Sequence, residues 1–465
     1  MTDPLAQLHA MLPPATFREV APHYLEEPRG RYQGQALAVL APASTDEVAQ
    51  IVTACAATGT PIIPYGGGTG LVGGQIAQGG AVPLIVSLER MRGLRDIDPV
   101  GGTLVAEAGA ILADIHLAAA TQDMIFPLTL ASQGSARIGG LLSTNAGGVN
   151  VLRYGNARDL CLGIEAVLPD GSVMRGLSPL RKNNTGYDLR HLLIGAEGTL
   201  GIITAATLRL FPKPAQMGAA LMVVPDPEAA LALLRMARSQ IGEGVSAFEL
   251  IGRTGLEFLA EVGPDTRQPF ADKPDWMCLI DLGLGADGAP DDALETLFAN
   301  AHEAGLVSDG VIAQSEAQRQ DFWTIRETIP EANRRIGAVS AHDISVPIAA
   351  IPAFIAEAPG RLARIGSYRI NCFGHLGDGN LHYNIFPMPG RSRADHEAER
   401  PAIKTCIHDL VHELGGSVSA EHGIGRLKVD DLEKYGDPAK LAAMRMIKRA
   451  LDPKGIMNPG AVLRA

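Results

Sequence analysis

Six glycines fall within nine residues at Gly66-Gly67-Gly68-Thr69-Gly70-Leu71-Val72-Gly73-Gly74, immediately after an apolar run from Pro61 to Tyr65. Upstream, Ala36 to Leu40 reads as a short strand. Ser44-Thr45-Asp46-Glu47 reads as a capping box opening a helix that continues from Val48 to about Ala57. A strand-helix-strand unit therefore runs straight into the glycine loop. Such a loop brings backbone N–H groups against a ligand where any Cβ would obstruct, and a pyrophosphate is its natural guest. The loop is not the G-x-G-x-x-G of a strand-to-helix nucleotide fold, since Val72-Gly73-Gly74 opens no obvious helix, so a nucleotide fold of that type is disfavoured.

A second run of small residues follows: Phe126-Pro127-Leu128, Ser132-Gln133-Gly134-Ser135-Ala136, Ile138-Gly139-Gly140 and Ser143-Thr144-Asn145-Ala146-Gly147-Gly148. Backbone in such segments can line a flat, extended cofactor. Arg153-Tyr154-Gly155, a hairpin from Ile164 to Met174 turning on Asp170-Gly171, Arg181 to Asp188, and Gly195 to Thr204 complete this part of the chain. Residues 1–35 read as a helical lead-in closed by a polar loop at Glu26 to Gly30.

Further on, Cys372 to Asn384 (C-F-G-H-L-G-D-G-N-L-H-Y-N) concentrates metal-ligand chemistry in a hairpin pattern. With Asp378 and Gly379 at the centre of the turn, His375 is expected directly across from His382, with Cβ atoms roughly 5 Å apart on one face. Asn384 falls on that same face by strand alternation, where its amide can hold a substrate oxygen. Two histidines alone would decorate many surface hairpins. Ser419-Ala420-Glu421-His422-Gly423-Ile424-Gly425 adds a carboxylate, and two His with one Glu form a common catalytic set that leaves positions open. His375, His382 and Glu421 are the expected metal ligands.

The 465-residue length allows two or three domains. A net charge of -11 argues against a nucleic-acid binder. Five widely spread cysteines without a C-x-x-C pair suit a reducing compartment. No secretory signal and no apolar run of ~18 residues is visible, so a cytoplasmic protein is expected, with peripheral membrane docking open.

Taken together, P-Y-G-G-G-T-G-L-V-G-G, T-N-A-G-G, R-K-N-N-T-G-Y-D-L and G-A-E-G-T-L-G-I-I-T resemble the FAD domain of vanillyl-alcohol-oxidase type flavoproteins. G-H-L-G-D-G-N-L-H-Y-N, S-A-E-H-G-I-G and the terminal D-P-K-G-I-M-N-P-G resemble its D-2-hydroxyacid dehydrogenase branch, which includes D-lactate and D-2-hydroxyglutarate dehydrogenases and the glycolate oxidase flavin subunit. The resemblance implies an α+β chain: a two-subdomain FAD-binding domain at 1–215, completed by 420–465, and an α/β capping domain with an antiparallel sheet at 216–419. It implies FAD against Pro64, Tyr65, Gly66 to Gly70, Leu71 and Gly74. Further contacts fall on Pro127, Leu128, Ser132, Gly134, Ser135, Ile138, Gly139, Gly140, Ser143, Asn145, Gly147, Gly148 and Tyr154, and then on Glu197, Gly198, Gly201, Ile203 and Asn458. Residues 61–76 hold no histidine, so the flavin is expected to be non-covalent.

The reaction implied is oxidation of a D-2-hydroxy acid of the lactate, malate or 2-hydroxyglutarate class, with hydride passing to flavin N5. Zinc or manganese would polarise the hydroxyl. His422 is then the expected base and Arg326 the grip on the substrate carboxylate. Relatives resembling D-2-hydroxyglutarate dehydrogenase often carry a lysine and a hydroxyl residue where this chain has Ala341 and Pro330, which weakens a dicarboxylate substrate unless Arg334 or Arg335 compensates. The acceptor is open among quinone, electron-transfer flavoprotein, cytochrome and oxygen, and a homodimer is plausible. The competing expectations are a partner-dependent flavin subunit, as in glycolate oxidase, and a non-redox transferase like the alkyl-dihydroxyacetone-phosphate synthases.

Overall fold

The computed structural model describes residues 4–28, 30, 32–263 and 266–464, so Arg29 of the polar loop read at Glu26 to Gly30 lies outside the described residues. The chain divides into two compact units. The first comprises Met1–Gly148, Gly155–Lys213 and Glu421–Ala465, and the second comprises Val149–Tyr154 and Pro214–Ala420.

In the first unit, strands β1 (Phe17–Arg18), β2 (Ala38–Leu40), β3 (Ile62–Tyr65) and β4 (Leu84–Ser87) form a sheet in the order β1-β2-β4-β3. β2 and β3 run parallel to β4, which requires the crossover helix Thr45–Thr58. Ser44 Oγ accepts the Glu47 amide at its start, but the Glu47 carboxylate takes the Ala43 amide rather than that of Ser44, so the capping box is half made. Val48, Ile51, Val52 and Cys55 bury one face of this helix against Leu40, Ile62, Leu84 and Val86.

The same unit holds β5 (Leu94–Asp98), β6 (Thr103–Glu107), β7 (Met124–Ile125), β8 (Cys161–Val167), β9 (Val173–Gly176), β10 (Ile202–Arg209) and β11 (Phe211–Pro212). Five of them make an antiparallel sheet in the order β5-β6-β10-β8-β9, and β7 pairs with β11. The chain's last segment returns here: Met457 bridges Ile62 in parallel, the Asn458 amide donates to the Ile62 carbonyl at 2.8 Å, and Lys448 Nζ ties the carbonyls of Thr199 and Met457.

The second unit is built on one seven-stranded antiparallel sheet. Its strands are β12 (Gln216–Val224), β13 (Val245–Gly252), β14 (Trp276–Leu284), β15 (Asp309–Ile312), β16 (Ser340–Ser345), β17 (Arg369–His375) and β18 (Asn380–Phe386), in the order β15-β12-β14-β13-β17-β18-β16. The helix Glu316–Ile336, capped by Ser315 Oγ, buries Phe322, Trp323, Ile325, Ile329 and Ala332 in a cluster with Leu221, Ala247, Ile251, Met277 and Phe373. A buried carboxylate pins it: Asp281 accepts from Arg319 Nε and Nη2 and, at 2.7 Å, from Trp323 Nε1. The short segment Val149–Tyr154 also belongs to this unit, because Arg153 Nη1 donates to Ser246 Oγ and the Gly283 carbonyl. Tyr154 therefore belongs with the second unit.

Candidate active site

The hairpin that carries the expected metal ligands forms with a different register from the one expected. The turn occupies Leu376 to Gly379, and the β17–β18 ladder pairs Phe373 with His382, Cys372 with Tyr383 and Asn371 with Asn384. The Asp378 carboxylate accepts the Asn380 amide at 3.1 Å. Gly379 takes φ 88°, a conformation that favours glycine, and a Cβ there would strike the Val346 carbonyl. His375 is thus not opposite His382. It continues beyond the ladder and pairs with Glu249 of β13 instead. The slip is two residues, so the face is unchanged: the two imidazole rings meet edge to face, with centroids 5.6 Å apart. Asn384 shares that face, and its Oδ1 accepts the His342 amide at 3.1 Å. Tyr383 lies on the opposite face, 1% exposed, with its ring edge-on to Phe354.

Sequence reasoning missed the residue behind this pair. Glu249 lies in a strand whose eight residues are all buried, and it is itself 0% exposed. Its Oε1 is 2.6 Å from His375 Nδ1, and its Oε2 accepts Arg326 Nε at 2.7 Å. Burial pushes the carboxyl pKa up, but the neighbouring imidazole and guanidinium more than reverse this and hold it at about 2. Arg326 is 5% exposed, with its guanidinium 4.7 Å above the Phe373 ring, so its ion pair with Glu249 is buried. The Nδ1 side of His375 is thus engaged by a carboxylate, an arrangement that suits metal ligation through Nε2.

Glu421 and His422 follow directly on Ala420, whose amide donates to the Asp343 carbonyl. Asp343 is the β16 partner of His382. Asn380 Nδ2 braces Asp343 Oδ1 at 3.0 Å.

Within the first unit, the glycine loop fits a diphosphate. Among the described residues, the amides of Gly66, Gly67, Gly68, Thr69 and Gly70 donate to no protein acceptor, leaving five consecutive donors at the end of β3. Gly67 has a second reason to be glycine, since a Cβ there would lie 2.2 Å from the Ser135 carbonyl oxygen. The segments 132–148 and 197–203 flank this loop through such packing, Gly198 against Pro64 and Gly66 against Gly140.

Two residues expected to touch the flavin have their side chains engaged by protein. The buried Glu197 carboxylate accepts the amides of Ile424 at 2.7 Å and Gly425 at 2.8 Å. Burial raises its pKa to about 6 against the pull of those amides. Asn458 Nδ2 donates to the carbonyls of Gly74 and Glu197, while its Oδ1 accepts from Arg426. Together they lock the loop at 421–425 to the flavin loops.

A two-part flavin cradle and an all-antiparallel cap define a class of flavoprotein, and the comparisons with known proteins agree. Residues 36–176 match the family model described as FAD binding domain, and residues 213–462 match FAD linked oxidases, C-terminal domain. The chain belongs to the FAD-linked oxidases, flavin-dependent oxidoreductases of the vanillyl-alcohol-oxidase type, on the D-2-hydroxyacid dehydrogenase branch. It is 39% identical over 93% of its length to the mitochondrial D-2-hydroxyglutarate dehydrogenase of Arabidopsis thaliana, covering 76% of that protein. It is 37% identical over 99% of its length to the D-2-hydroxyglutarate dehydrogenase of Xanthomonas citri pv. viticola, covering 97%. Among solved structures, p-cresol methylhydroxylase with substrate bound aligns with a TM-score of 0.77 at 17% identity, covering 99% of this chain and 96% of that one, a likeness of fold. Among the described residues no helix is long and apolar enough to cross a membrane.

Proposed function

We propose that this protein oxidises a D-2-hydroxy acid to the 2-oxo acid with non-covalent FAD and a divalent ion held by His375, His382 and Glu421. The observation that carries the reading is the pair of imidazoles on one hairpin face, one of them bonded through Nδ1 to a buried carboxylate that also holds Arg326. D-2-hydroxyglutarate is the first substrate to test, given the relatives; D-lactate and D-malate share its reacting end.

Bound FAD supplies the acceptor for the hydride leaving C2, and zinc or manganese supplies positive charge beside the hydroxyl. The chain's own residues do the rest. Arg326 grips the C1 carboxylate, orienting the C2–H bond. His422 removes the hydroxyl proton, and Asn384 Nδ2 donates to a substrate oxygen. Gly66 to Gly70, with the 138–148 and 197–203 segments, hold the diphosphate and the ring system by backbone contact.

Arg334 and Arg335 do not support a distal-carboxylate subsite, since both pair with Glu331 and Arg334 keeps 76% of its side chain exposed. A dicarboxylate would have to be recognised by other groups. The acceptor is proposed to be a quinone, an electron-transfer flavoprotein or a cytochrome.

The test is steady-state turnover of FAD-loaded protein with a dye acceptor on D- and L-2-hydroxyglutarate. The D-acid alone is expected to turn over, and His422→Asn is expected to lower kcat about 10²- to 10⁴-fold with FAD retained. Equal rates on both enantiomers, or full activity of His422→Asn, would overturn the assignment.

A further inference from the structure

Glu249 forms short bonds to both a proposed metal ligand and the proposed substrate arginine. It reaches them from β13, with Oε1 at 2.6 Å from His375 Nδ1 and Oε2 at 2.7 Å from Arg326 Nε. Its two neighbours in the strand, Phe248 and Leu250, are buried and apolar, and no water-exposed surface dilutes its charge. A lone carboxylate in such a strand would be unstable there, so its retention requires that both partners stay in place.

From this geometry we infer that Glu249 is a positioning residue that couples metal binding to recognition of the substrate carboxylate, an inference that rests on the metal-dependent reading above. Two consequences follow from the bond pattern. Because Glu249 takes the Nε edge of Arg326, the substrate carboxylate is met by the terminal Nη1–Nη2 end of the guanidinium, with the Phe373 ring stacked beneath it. Because the same carboxylate polarises Nδ1–H of His375, an ion drawing charge from Nε2 tightens the bond to Oε1, and the site that binds the substrate's carboxylate is preset by the site that binds its hydroxyl. By linkage, the coupling acts equally in the other direction.

The experiment uses full-length, FAD-loaded protein stripped of metal, with Zn²⁺ affinity read by competition with a chromophoric chelator and with kcat and KM for D-2-hydroxyglutarate measured at saturating Zn²⁺. Glu249→Gln is expected to retain FAD, to bind Zn²⁺ about 10- to 100-fold more weakly, and to show a KM raised about tenfold even when zinc is saturating. Its kcat should fall less than its KM rises, a split that general loosening of the fold would not produce. Should Glu249→Gln fail to accumulate, Glu249→Asp serves: a carboxylate drawn back by one methylene cannot keep both short bonds, so both constants are again expected to shift in the same directions. Zinc affinity within twofold of the native chain together with an unchanged KM, in either variant, would overturn the coupling. If the native chain itself binds no Zn²⁺, the metal-dependent reading fails with the coupling. If the native chain binds Zn²⁺ and Glu249→Gln leaves both that affinity and KM unchanged, the coupling fails and the metal-dependent reading stands.

Discussion

His375 Nδ1 and Glu249 Oε1 are 2.6 Å apart inside the sheet, between residues 126 positions distant in the chain. On the proposed reading the contact directs Nε2 of His375 toward the ion, so substitution of the histidine would remove a ligand. His375→Ala and His382→Ala are each expected to lower kcat/KM by about a thousandfold or more, while the visible flavin spectrum stays that of bound FAD. Activity near the native level in either variant, measured after chelation, would remove the metal from the account.

Arg326 is expected to matter for stability as well as for substrate. In Arg326→Met the buried Glu249 carboxylate loses its permanent positive partner, and unfolding by guanidinium should show a loss of about 3–5 kcal/mol. A change below about 1 kcal/mol is what an exposed ion pair would give and would contradict the buried arrangement.

Gly67→Ala tests the flavin cradle without touching any proposed catalytic group. The added Cβ would sit 2.2 Å from the Ser135 carbonyl oxygen, which forces the loop away from the 132–136 segment. Purified variant is expected to lose most of its FAD, at a stability cost of about 1–3 kcal/mol. Full flavin occupancy would show that the loop does not hold the cofactor as described.

Glu197 gives a pH signature. Its folded-state pKa is raised to about 6 from an ordinary value of 4.5, so its stabilising contribution is fully present below about pH 4.5 and is lost as pH rises through about 6. Relative to Glu197→Gln, the native chain should lose about 2 kcal/mol between those values and no more above them. Denaturant titrations at pH 4, 5, 6 and 7 measure this; a constant difference between the two proteins across the series would show that the carboxyl is not shifted.

The elements written locally were legible in the sequence. Ser44 and Gly59 frame the first crossover helix, Gly66 to Gly74 ends β3 in a loop, and the glycine and aspartate turns place the hairpins. The register of the 369–386 hairpin differs by two residues from the expected one because Gly377, Asp378 and Gly379 all favour turns, yet the side-chain period of two keeps His375, His382 and Asn384 on one face. What local pattern could not show were bonds across long separations: Glu249 to Arg326, Glu197 to Ile424, and Asn458 to the Glu197 carbonyl. One signal was available for the first of these. Glu249 is the single ionisable residue in the otherwise uncharged run Val245 to Gly252, and a charge inside a strand of that composition needs a buried partner. The hexapeptide at 149–154 had no such mark; Arg153's reach to Ser246 and Gly283 and the packing of Val149 on the second unit's core place it there.

The most direct measurement is anaerobic mixing of FAD-loaded protein with the D- and L-forms of 2-hydroxyglutarate, malate and lactate, with and without chelator, while following the visible flavin band. The account predicts bleaching by at least one D-acid and by no L-acid, lost with chelator and restored by Zn²⁺ or Mn²⁺. A band that no hydroxy acid bleaches, although dithionite does, would contradict it.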